Sequence, residues 1–157
     1  MSTPEAVRVP DAKAMRGLGA QLAGRLGAGD LVVLTGPLGA GKTTFTQGVA
    51  EGLQVRGPIT SPTFVLARVH PSLVGGPPLV HADAYRLGSV AELDDLDLDS
   101  DVADSVTVVE WGAGKAEVLA ASGDRPGHFW EVFIERAADS DVRLVRIESV
   151  NADRDRT

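Results

Sequence analysis

The chain has 157 residues, of which 43 % are hydrophobic and 24 % charged, with no cysteine and a net charge of −7. That length supports one domain with a real core, and the lack of cysteine rules out disulfides and thiolate metal sites. An acidic chain without a basic block is a poor clamp for a polyanion on its own, because nucleic-acid binding draws on counterions released by clustered Lys and Arg. No apolar run approaches membrane length and the N-terminus lacks a basic-then-apolar leader, so a cytoplasmic location is expected.

Residues 6–9 form a short β-like run. Pro10 and Asp11 then open a helix with Asp11 as N-cap; Met15, Leu18, Leu22 and Leu26 recur at helical spacing, and Gly27 and Gly29 end the segment. Residues 31–35 have strand character and lead into Gly36-Pro37-Leu38-Gly39-Ala40-Gly41-Lys42-Thr43. This stretch fits the P-loop pattern G-x-x-x-x-G-K-[ST] throughout. Residues 44–53 can follow as a helix with Phe45, Val49 and Leu53 on one face. Average residue frequencies put a chance match in a chain this size at about one per cent or less.

The spacing follows from what a triphosphate needs. Backbone N–H groups must wrap its oxygens closely, and Gly36, Gly39 and Gly41 remove side-chain bulk and tolerate positive φ. The next helix aims its free N–H groups and positive dipole end at the phosphates. Lys42 would reach the β- and γ-phosphates, and the Thr43 hydroxyl would ligate Mg²⁺. The expected nucleotide contacts of this stretch are Gly36, Leu38, Gly39, Ala40, Gly41, Lys42, Thr43 and Thr44, with ATP and Mg²⁺ as cofactors.

Downstream, Ser61 and Thr63 lie on a Pro-bounded loop that is either a switch sensing the γ-phosphate or a plain turn. A strand is expected over 64–69 and a surface loop over 71–78. Residues 79–86 read as a strand ending in polar groups, where Asp83 either orders the metal's waters or makes an Asx turn. His81, with no other spaced ligand, reads as structural. Ser89 and Glu92 form a capping box, and residues 92–104 hold seven acids and no base, a solvated face or a docking surface for a basic partner. Residues 106–111 have the Walker B form, an apolar strand ending in the acid Glu110. A brief helix is expected over 115–121, and runs at 129–134 and 142–147 suggest a hairpin at the sheet edge. The domain expected is 1–150, followed by a polar tail at 151–157 that should fray.

The P-loop, Ser61-Pro62-Thr63-Phe64, His81-Ala82-Asp83-Ala84-Tyr85-Arg86-Leu87, Glu92-Leu93 and Val109-Glu110-Trp111 stand in the order and spacing of one family. Over roughly residues 10–135 the chain resembles TsaE (YjeE), the small bacterial ATPase family of tRNA threonylcarbamoyladenosine synthesis. The resemblance implies that Lys42 and Thr43 bind phosphate and Mg²⁺, that Ser61 and Thr63 sit in a switch-like loop at the nucleotide, and that Trp111 packs near the site. It implies metal roles for Thr43, Asp83 and Glu110, and catalytic roles for Lys42, Asp83 and Glu110. It also implies a partner, the TsaB–TsaD complex, which would hold the tRNA. Ala82 and Ala84 stand where the family usually has larger apolar residues, which leaves local packing open.

The fold class expected is α/β, a P-loop NTPase-like three-layer arrangement with a central, mostly parallel sheet and an antiparallel edge hairpin. A small-molecule kinase shares the P-loop but usually needs an arginine-rich lid, and no such insertion is present. A GTPase needs an N-K-x-D segment, whereas the single asparagine is Asn151. A nucleotide-binding module without significant hydrolysis is the third alternative.

Overall fold

The structure, a computed structural model, describes residues 6–36, 41–57, 67–83, 105–110, 129–136 and 142–149. Its elements are β1 (Val7–Val9), α1 (Ala12–Ala23), β2 (Leu31–Thr35), α2 (Lys42–Leu53), β3 (Ala67–His70), β4 (Leu79–Asp83), β5 (Val106–Glu110), β6 (Phe129–Arg136) and β7 (Arg143–Ser149). The strands form one mixed sheet in the order β1-β7-β6-β2-β5-β4-β3.

The centre is parallel, as continuous apolar runs lead one to expect of strands covered on both faces. β2 pairs in parallel with β5 and β6, and β4 with β5. Leu31, Val32, Val33 and Leu34 are all fully buried. Alternation sends Val32 and Leu34, with Val106, Val108, Val132 and Ile134, to the core shared with Met15, Leu22, Phe45 and Val49 of the two helices.

The outer strands are antiparallel. β3 pairs with β4 at one side, and β6 turns back into β7 at the other. That hairpin is the one expected, but it is not itself the edge. β6 lies against the central β2, and β1 adds to the far side of β7, with Val9 opposite Arg143.

Asp11 caps α1 as its position after Pro10 suggests: its carboxylate accepts from Ala14 N at 2.8 Å. The helix ends earlier than expected, at Ala23. Arg25 N and Leu26 N bond to Leu22 O and Ala23 O, an i→i+3 pattern that tightens the last turn and still packs Leu26 against the core. α2 ends with Gln54 in the left-handed region, φ 59°, a place usually given to glycine or asparagine.

The two helices cross at very short range because glycines face each other. A Cβ added to Gly48 would lie 2.0 Å from the Arg16 carbonyl oxygen, and one on Gly19 would lie 2.2 Å from that of Phe45. Among the described residues no helix is long and apolar enough to cross a membrane. The capping box at Ser89 and Glu92, the helix expected at 115–121 and the tail at 151–157 lie outside the described residues.

Candidate functional site

Ligands of open α/β sheets bind outside the carboxyl ends of the parallel strands. Here β2, β5 and β4 end side by side: Leu34 is in register with Glu110, and Glu110 with Asp83. The glycine-rich stretch follows β2 at this end, and Gly41, with φ of 110° and ψ of 18°, leads into α2. A side chain would be strained there, which is why the pattern demands glycine at this position. Gly29 and Gly75 also take positive φ.

α2 begins at Lys42, so its first turn presents Lys42, Thr43 and Thr44 at the strand ends. Its N-cap, Gly41, makes no side-chain cap hydrogen bond, and a helix N-terminus carries free N–H groups and the positive end of the dipole. Lys42 Nζ donates to the Gly36 carbonyl at 2.6 Å, so the ammonium lies across the mouth of the loop. Thr43 Oγ1 donates to the Glu110 carboxylate, at 3.1 Å from Oε2 and 3.3 Å from Oε1. The residues that sequence spacing assigns to Walker A and Walker B therefore meet, although 67 positions separate them.

Glu110 is 7 % exposed and has a second partner, His81, which is fully buried and bonds through Nε2 to Glu110 Oε2. A carboxylate only accepts, so Nε2 carries the proton in this contact. Sequence reasoning read His81 as structural and did not foresee its contact with Glu110. The available signal was its position two before Asp83 on β4, which places both at the strand end beside β5, but the β4–β5 pairing is needed to see it.

The donor set fits Mg²⁺. Thr43 and Glu110 offer hard oxygens, and among the described residues no three His, Asp or Glu side chains gather into an all-protein metal cage. Mg²⁺ is commonly held by one or two carboxylates together with substrate phosphates. Ala82 is fully buried, in register with Val109 on the sheet face opposite Glu110, so the packing left open there does not touch the carboxylate. Leu38, Gly39, Ala40, Ser61, Thr63, Ala84 and Trp111 lie outside the described residues. Asp83 is placed by its backbone register alone.

Residues 9–143 match the family model for "Threonylcarbamoyl adenosine biosynthesis protein TsaE". The chain belongs to the TsaE family. It is 68 % identical over 106 residues to a tRNA threonylcarbamoyladenosine biosynthesis protein TsaE of Streptomyces coelicolor, covering 67 % of this chain and 72 % of that one. A TsaE of Mycobacterium leprae is 51 % identical over 134 residues, covering 81 % of this chain and 80 % of that one. The crystal structure of Bacillus subtilis YdiB superposes with a TM-score of 0.68 at 30 % identity, covering 96 % of this chain and 88 % of that one. The α/β class and the TsaE resemblance expected from the sequence both stand.

Proposed function

We propose that this protein is a Mg²⁺-dependent ATPase of low intrinsic rate that supports a TsaB–TsaD complex in forming N6-threonylcarbamoyladenosine in tRNA. The observation that carries the nucleotide part is the contact between Thr43 and Glu110 beside Lys42 at the mouth of a P-loop helix. The pathway and partner rest on family membership.

In this reading Lys42 exchanges the Gly36 carbonyl for phosphate oxygens, and the α2 N-terminus adds its dipole. Thr43 and Glu110 hold Mg²⁺, which when bound neutralises charge on the β- and γ-phosphates. Asp83, one strand over from Glu110, orients the attacking water. Ser61, Thr63 and Trp111 complete the nucleotide's surroundings, and the partner complex grips the tRNA that this acidic chain does not.

Turnover should be slow. Charge building on the phosphate oxygens calls for a cation beyond Lys42, and an arginine finger typically contributes about 10³–10⁵ in kcat. Arg86, three residues after Asp83, is the nearest candidate in cis. Only a strand running on past Asp83, where β4 ends, would turn it away. Phosphate release should therefore fall well below the roughly 1–100 s⁻¹ of kinases and rise when TsaB–TsaD is added. Lys42→Ala should abolish ATP binding or turnover while keeping the far-UV circular dichroism of the parent. Fast release by the protein alone, indifferent to the partners, would overturn the proposal.

A further inference from the structure

We infer that His81 is a positioning residue: it holds Glu110 by Oε2 and so commits Oε1 to Mg²⁺. The inference rests on the reading of Glu110 as a metal ligand.

The two carboxylate oxygens are not equivalent. Oε2 takes the His81 ring N–H and the shorter Thr43 contact at 3.1 Å, whereas among the described residues Oε1 has Thr43 alone at 3.3 Å. Two donors converge on Oε2, so its lone pairs are largely committed and Oε1 keeps the freer ones. The carboxylate plane is then fixed before any ligand arrives.

A purely structural role explains His81 poorly. The ring is fully buried, yet among the described residues its Nδ1 has no hydrogen-bond partner. An apolar side chain in the same slot would avoid that desolvation cost. What an apolar side chain cannot supply is the N–H donated to Glu110. β4 gives that donor a rigid mount, because Leu79, His81 and Asp83 pair in register with Val106, Val108 and Glu110. Partners that orient metal ligands in this way typically contribute about 10–100-fold to metal affinity.

The test compares wild type, His81→Met, which fills the slot without a donor, and His81→Gln, whose amide can donate at similar reach. Mn²⁺ binding in the presence of ATP is followed by electron paramagnetic resonance, and a fluorescent ATP analogue is titrated in EDTA and in Mg²⁺. In His81→Met the metal should bind about 10–100-fold more weakly, with analogue affinity in EDTA unchanged, while His81→Gln recovers most of the loss. Equal metal affinity in wild type and His81→Met would overturn the role of His81 alone. Should His81→Met fail to fold, His81→Gln decides: near-wild-type metal affinity supports the inference, and a loss of about tenfold or more overturns it. A wild-type protein whose nucleotide binding ignores both metals would instead overturn the reading of the site.

Discussion

The close approach of the two helices gives the sharpest prediction, Gly48→Ala. Two effects oppose each other. Alanine is the better helix former by about 1 kcal/mol, and α2 would gain that in isolation. Against it, the new methyl would sit 2.0 Å from Arg16 O, 2.7 Å from Arg16 C and 2.8 Å from Arg16 Cα. The first of these falls about 1.5 Å short of an ordinary heavy-atom contact of roughly 3.5 Å. All three atoms are backbone, so no rotamer change relieves the clash and the helices must separate. Overpacking of this kind costs about 1–3 kcal/mol, occasionally more, and here it should outweigh the propensity gain. Gly17→Ala is the control: it lies in α1, exposed, with nothing within 4 Å of its Cβ, and should stabilise by about 0.5–1 kcal/mol. At about 2–4 °C per kcal/mol for a chain of this size, thermal midpoints should move down for Gly48→Ala and up for Gly17→Ala. Because α2 starts at Lys42, separation should also carry Thr43 from Glu110 and weaken ATP binding. Calorimetric scans with ATP titrations measure both. A Gly48→Ala protein at least as stable as Gly17→Ala would refute the packing argument.

Three further perturbations follow from single contacts. His70 donates through Nδ1 to the Arg56 carbonyl at 3.0 Å, and burial holds its pKa below the ordinary 6.5. The unfolded chain then binds the proton first, so stability present above about pH 6.5 is lost as pH falls; His70→Asn should lose less of its urea midpoint between about pH 7.5 and 5.5 than wild type. Gln54→Gly should stabilise by about 1 kcal/mol, since the left-handed cap at φ 59° then carries no Cβ, and a lowered urea midpoint would contradict this. Trp130 pairs with Val32 near the start of β2, away from the strand ends, so Trp130→Phe should keep any fluorescence change on Mg·ATP binding and Trp111→Phe should lose it. If Trp111→Phe instead keeps the whole signal, Trp111 is not beside the nucleotide.

Sequence exposed those parts of the site that follow the chain. Asp11 as a cap, the apolar run of β2, Gly41 at the helix entry and the acid closing β5 are each dictated by neighbours within a few residues. Pairings across the sheet were harder to see. Nothing local tells that β6 docks on β2 rather than outside it, or that β1 completes the edge beyond β7. The contact of His81 with Glu110 was hidden for the same reason, because the two stand 29 positions apart on different strands. Gly19 and Gly48 carry no apolar signal, so their close crossing is invisible to periodicity.

The parallel centre has a consequence for how the chain comes into being. β2 is made early, but its neighbours are Thr107–Glu110 on one side and Phe129–Phe133 on the other. A growing chain therefore emerges from the ribosome with its phosphate loop translated and no wall to set it against. Loop closure over such spans is entropically costly, so this sheet should zip slowly compared with a helical bundle. Ligands that bind only the finished arrangement draw the equilibrium toward it. On the function proposed above, ATP would act on the newborn protein as a fastener, gripping only those copies whose fifth strand has already found the second.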